Sequence, residues 1–188
     1  MSRYAILACL LVAALPSFAQ NQAPSWDAWK PLMGEWVGEG TGAPGEGSGG
    51  FSFRLELDGR VLLRHNQAEY PATKDHPAFS HRDLMVVYPS GDGPTPAPQR
   101  RDGPAGAGSA RAIYFDNEGH VIQYTVRFSD DRKAVTLLSD PIPSQPRYRL
   151  TYGVRSEESL TIKFEIAPPS QPDAFKMYVQ STCHRKRP

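Results

Sequence analysis

The chain has 188 residues, with 21 basic side chains set against 20 acidic ones and a net charge of +1. Such a balance lacks the dense basic stripe that phosphate-backbone binding requires, so nucleic acid is excluded as an expected partner. The composition, with 39% hydrophobic residues, excludes collagen-like, coiled-coil and wholly disordered chains and suits one globular domain with attachments.

Residues Met1 to Ala19 read as a secretory signal peptide. One charge, Arg3, precedes an apolar run from Ala5 to Leu15, and Pro16-Ser17-Phe18-Ala19 supplies the small residues at which a signal peptidase cuts. The run is shorter than the roughly 20 residues a membrane-spanning helix needs, so no transmembrane segment is expected after cleavage. The expected location is therefore the periplasm or exterior of a bacterium, with residues 20–188 forming one domain. Cleavage removes Cys9 and leaves Cys183 alone, so the exported domain has no internal disulfide and no cysteine-based zinc site. Its own apolar core must hold it together.

In chain order, Ser25-Trp26-Asp27-Ala28-Trp29-Lys30-Pro31 predicts a short helical turn capped by Ser25 and stopped by Pro31. The periodicity then becomes two. Phe51, Phe53, Leu55 and Leu57 alternate with polar residues, and Asp58-Gly59 turns the chain into a strand over Val61–Tyr70. Further strands are expected over Leu84–Tyr88, Arg111–Phe115, Val121–Phe128, Ala134–Leu138, Arg147–Val154, Leu160–Ile166 and Phe175–Cys183. With Trp36-Val37 the total is about ten. The segment 89–110 is dense in Pro and Gly and low in apolar bulk, the composition of a flexible loop. No stretch after Gly34 carries the 3.6-residue period that crossover helices need, which excludes a parallel α/β sheet. The expected fold is all-β: a closed antiparallel up-and-down β-barrel of about ten strands with a short N-terminal helical turn. Closure removes the two exposed edges that an open sheet would leave.

Pro31-Leu32-Met33-Gly34-Glu35-Trp36-Val37-Gly38-Glu39-Gly40 carries a Gly-x-Trp that resembles the opening of lipocalin-like (calycin) barrels. More narrowly, it resembles nitrobindin-type proteins and a related group of bacterial secreted barrels, as do Phe115–Ser129 and the stretch from Arg149 to Pro169. The resemblance implies a ten-stranded barrel with an internal cavity. It also implies that Trp36 plugs one end beneath a basic residue of the last strand, for which Arg185 is the candidate and Arg187 the second choice. Nitrobindin-type barrels hold haem through a histidine of the final strand. Here the resemblance sets Tyr178 at that position, so no cofactor is expected.

The sequence offers three functional readings. In the first, the barrel binds a small apolar or amphipathic molecule, and Tyr70, Tyr88, Tyr114, Tyr124, Tyr148 and Tyr178 line the cavity, each an apolar ring bearing one hydroxyl. In the second, His65, His81 and Asp83 meet at the barrel mouth and bind a metal or pass a proton, because imidazole with carboxylate can do either near neutral pH. In the third, the chain is a structural envelope protein without a ligand. An activated nucleophile is not expected: there is no Gly-x-Ser-x-Gly elbow, and Cys183 and His184 fall on opposite faces of one strand.

Overall fold

A computed structural model describes residues 24–42, 45–90 and 110–187. The signal-peptide reading and most of the expected 89–110 loop lie outside these residues.

A 3-10 helix, Asp27–Leu32, leads into ten strands: β1 Gly34–Gly42, β2 Gly47–Glu56, β3 Val61–Tyr70, β4 Phe79–Pro89 and β5 Ala110–Asp116. The remainder are β6 Val121–Phe128, β7 Ala134–Ser139, β8 Arg147–Val154, β9 Ser159–Ala167 and β10 Lys176–Arg185. Every strand pairs antiparallel with its neighbour in sequence, and β1 pairs with β10, so the sheet closes into a barrel.

The helical turn differs from its expected form at both ends. Trp26, not Ser25, occupies the cap position, and Pro31 lies inside the turn instead of ending it. Six residues of 3-10 geometry tolerate this, because so short a turn needs few N–H donors; those of Trp29 and Met33 reach the carbonyls of Trp26 and Lys30.

Strands β1, β2 and β4 are longer than periodicity alone predicts. Their extra residues are glycines interleaved with polar residues (Gly38-Glu39-Gly40-Thr41, Gly47-Ser48-Gly49) or the mixed stretch Phe79-Ser80-His81-Arg82-Asp83, which carry no apolar alternation but pair normally. At Gly38 a side chain is excluded outright. A Cβ there would sit 2.5 Å from the Thr182 carbonyl oxygen and 2.8 Å from the Cys183 sulfur. The bare backbone is what lets β1 lie close against β10.

Alternation decides the two ends of the barrel. Inward residues near the start of β1 and the ends of β2, β6 and β8 are large and apolar: Trp36, Phe53, Phe128 and Tyr152. The 3-10 helix lies across this end. Trp29 packs edge-on against Phe128, at 5.3 Å between ring centres, and tilted against Phe53 at 5.7 Å, while Trp26 donates from Nε1 to the Gly59 carbonyl. Trp36 donates from Nε1 to the Leu32 carbonyl at 2.9 Å. Above the Trp36 ring lies Arg185, its Cζ 4.3 Å from the ring centre. Its guanidinium donates to the carbonyls of Met33 (2.7 Å), Glu157 (2.9 Å) and Pro31 (3.2 Å). One arginine thus ties the last strand, the β8–β9 turn and the helix to a single indole ring. The plugged end leaves the opposite half of the barrel to be filled differently.

Candidate functional site

The half of the barrel away from Trp36 encloses a cavity of about 340 Å³ that opens at the end holding Tyr70, Phe79 and Tyr178. Three strips of wall surround it. Inward positions of β6, β8 and β9 give an apolar strip of Ile122, Leu150, Ile162, Phe164 and Ile166. Beyond Trp36 and Phe51 the inward positions of β1 and β2 are the glycines Gly38, Gly40, Gly47 and Gly49, so that side is largely bare backbone and leaves space. Strands β3, β4 and β5 supply the third strip, which is polar: Arg64, Asn66, His81, Asp83, Tyr114 and Asp116.

The polar strip is built on one buried ion pair. Arg64 and Asp83 lie on adjacent strands with side chains only 5% and 3% exposed, and Arg64 Nη1 donates to Asp83 Oδ1. The guanidinium also rests over Phe51 and Tyr152, 5.5 and 5.8 Å from their ring centres. Burial opposes the charge on both partners, but each holds the other ionised: Asp83 stays below the usual carboxylate range and Arg64 above its ordinary value. Asn66 Nδ2 donates to the second Asp83 oxygen at 2.9 Å.

His81 stands one step nearer the mouth. Its Nε2 lies 3.4 Å from Asp83 Oδ2 and 2.9 Å from the Tyr114 hydroxyl, and its Nδ1 lies 2.8 Å from Glu118. The hydrogen bond to Asp83 is the largest cause, and with Glu118 it outweighs partial burial and pushes the His81 pKa up to about 9. The ring is therefore a cation at neutral pH. Tyr114 in turn donates to Asp116 at 3.3 Å, and Asp116 Oδ2 faces His120 Nδ1 at 2.8 Å. Burial, followed by Asp83 and Asp116, drives the Tyr114 hydroxyl far above its normal pKa, so it remains protonated. A chain of contacts thus runs from the buried pair to the rim, where His120 is 53% exposed.

Of the six tyrosines singled out in the sequence, Tyr70, Tyr114, Tyr124, Tyr148 and Tyr178 line the cavity. Tyr88 does not. It follows Val87, an inward residue, and points outward, with its backbone paired to Arg111. The expected meeting of His65, His81 and Asp83 also fails. His81 and Asp83 come together, but His65 lies between the inward residues Arg64 and Asn66, paired with Leu84, and faces solvent on the outer surface. Among the described residues no group of three His, Cys, Asp or Glu side chains is placed to hold a metal.

Haem held by a last-strand imidazole does not fit these residues. Tyr178 sits at a bulge in β10, 38% exposed at the rim with its ring edge against Phe164. Deeper along β10 the cavity meets Val179, Ser181 and Cys183, while His184 lies on the outer face beside Val37 and Thr182. Both ring nitrogens of His81 are already engaged.

Sequence reasoning missed Arg64, Asn66, Asp116, Glu118 and His120. Arg64 and Asn66 share a face with Leu62, two and four residues along the same strand, as Asp116 does with Tyr114 two residues earlier; that face becomes readable only once Leu62 is known to point inward.

Fold and site together define a closed ten-stranded antiparallel β-barrel, plugged at one end by aromatic residues and hollow at the other. No protein-family model and no curated protein sequence matches the chain. In fold it is similar to the crystal structure of Rv2717c from M. tuberculosis, with a TM-score of 0.56 at 15% sequence identity, over 86% of this chain and 98% of that one. A de novo designed fluorescence-activating β-barrel aligns over 86% of this chain and 100% of its own, with a TM-score of 0.41 and 11% identity. Among the described residues no helix is long and apolar enough to cross a membrane.

Proposed function

We propose that the barrel binds a small, largely apolar molecule in its interior, as a lipocalin-like carrier or sensor. The observation that carries this reading is the cavity of about 340 Å³, lined by isoleucines, leucine, phenylalanine and five tyrosines and open at one end. A space of that size lies at the lower end of the range for ligand sites, roughly 300–1,000 Å³. An apolar hollow reached through one mouth transfers apolar surface out of water at no cost in core packing, because the plugged half already supplies the core. The signal peptide read in residues 1–19 supports a periplasmic or secreted protein, which N-terminal sequencing of the mature chain tests by the start it reports.

The test is titration with a neutral, environment-sensitive fluorophore such as N-phenyl-1-naphthylamine. The wild-type protein is expected to show saturable binding at one site, and Ile162→Trp, which fills the cavity from β9, to abolish it while leaving the circular dichroism spectrum unchanged. Emission that rises linearly without saturation, or that survives the filled cavity, refutes interior binding.

A further inference from the structure

Resting on the reading above, we propose that the molecule held in the cavity is uncharged and amphipathic, with a hydroxyl or carbonyl oxygen seated on the hydroxyl of Tyr124.

Two independent observations lead here. The first is charge. The ionised groups of the polar wall already have a counter-charge or a full set of hydrogen bonds: Asp83 with Arg64, Glu118 with His81, and Asp116 with His120 and the backbone N–H groups of Glu118 and His120. An anionic head would enter beside three carboxylates, and the deep cation it would seek, Arg64, is committed to Asp83, with its Nε sealed from solvent. A cationic head would meet Arg64 and protonated His81. Either ion would lose its hydration and meet groups of its own sign, which makes the charged form the unfavourable guest.

The second observation is an unused hydroxyl. Tyr124 is 1% exposed and lines the cavity, and among the described residues its hydroxyl makes no hydrogen bond. Burial, with Asp83 as the next cause, holds it firmly protonated. It is therefore one O–H donor with free lone pairs, placed deep beside the Tyr114 ring at 6.4 Å between centres. The Tyr152 hydroxyl, also without a partner, is sealed from the cavity and offers no such site. The Tyr124 hydroxyl faces the cavity without a protein partner, and a ligand oxygen seated on it gains a hydrogen bond shielded from bulk water. Beyond Tyr124, Ile122 on its own strand and Leu150, Ile162 and Phe164 on β8 and β9 would take the ligand's apolar body.

A matched eight-carbon series tests this: octan-1-ol, octanoate, octylammonium and octane, each competing at pH 7 with the neutral fluorophore on wild-type protein and on Tyr124→Phe. Octan-1-ol is expected to bind wild type at least tenfold more tightly than either ion. Tyr124→Phe is expected to weaken octan-1-ol by roughly 3- to 10-fold, the range of one lost hydrogen bond, and to leave octane unchanged. Octanoate or octylammonium binding as tightly as the alcohol overturns the proposal, as does an alcohol affinity untouched by Tyr124→Phe; in both cases interior binding itself stands. Failure of all four to displace the fluorophore overturns this proposal and the interior-binding reading together.

Discussion

Removal of the Asp83 carboxylate is the sharpest probe of the polar wall. Asp83→Ala takes away the acceptor for Arg64 Nη1 and for Asn66 Nδ2, and the anion nearest His81 Nε2. Arg64, 4% exposed and with its Nε already lacking a partner, keeps only the faces of Phe51 and Tyr152. Breaking a buried pair in this way costs about 3–5 kcal/mol. For a chain of this size each kcal/mol lowers the melting temperature by about 2–4 °C, so a fall of roughly 6–20 °C is expected. The double variant Arg64→Met with Asp83→Leu replaces both charges by apolar bulk and should recover most of the loss, because neither partner is left alone. Urea unfolding followed by the emission of Trp26, Trp29 and Trp36 reads both values, and an unchanged urea dependence of the free energy confirms that the folded states are comparable. If Asp83→Ala costs less than about 1 kcal/mol, or the two single losses simply add in the double variant, the buried pair does not hold the wall.

Three further outcomes can be checked independently. Because the folded pKa of His81 is raised to about 9 from 6.5, its contribution is fully present below pH 6.5 and is lost as pH rises through 9; the full shift corresponds to about 3 kcal/mol, which solvent screening of the partly exposed ring reduces to roughly 2 kcal/mol lost over that window, and His81→Gln should flatten the profile. Arg185→Ala removes the contact over Trp36 and three hydrogen bonds to carbonyls, with an expected loss of about 2–4 kcal/mol in denaturant unfolding. Arg185→Lys should recover less than half of that, since one ammonium cannot fork to three oxygens around an indole. Gly38→Ala should cost about 2 kcal/mol or more through the clash with Thr182 and Cys183, whereas Gly119→Ala, where nothing lies within 4 Å, should lose only what its φ of +92° imposes.

The barrel was legible wherever apolar and polar residues alternate cleanly. Val121 to Phe128 is such a stretch: Ile122, Tyr124, Val126 and Phe128 all face in, and Arg127 between the last two faces out. Legibility failed where both faces are apolar. Leu84-Met85-Val86-Val87-Tyr88 is hydrophobic at every position, so its period is silent and the outward turn of Tyr88 could not be read. The same silence at Leu62-Leu63 hid Arg64. Either leucine could have been the inward one, and an arginine two residues on is read as surface charge unless its partner on β4 is known. His120 is half exposed beside a turn, yet its Nδ1 belongs to the wall through Asp116. A contact across a turn, built from polar side chains, leaves no trace in hydrophobic periodicity.

Among the described residues, the aromatic stopper beneath Arg185 closes one end of the barrel and leaves the opposite end as its door. Whatever enters past Tyr70 and Tyr178 must depart the same way, so a newcomer cannot push the resident out from behind. Turnover of contents is then paced by departure alone, and raising the concentration of a competitor should not hasten it. For the ligand proposed above, such a container would suit holding and handing over, not passage from one side to the other.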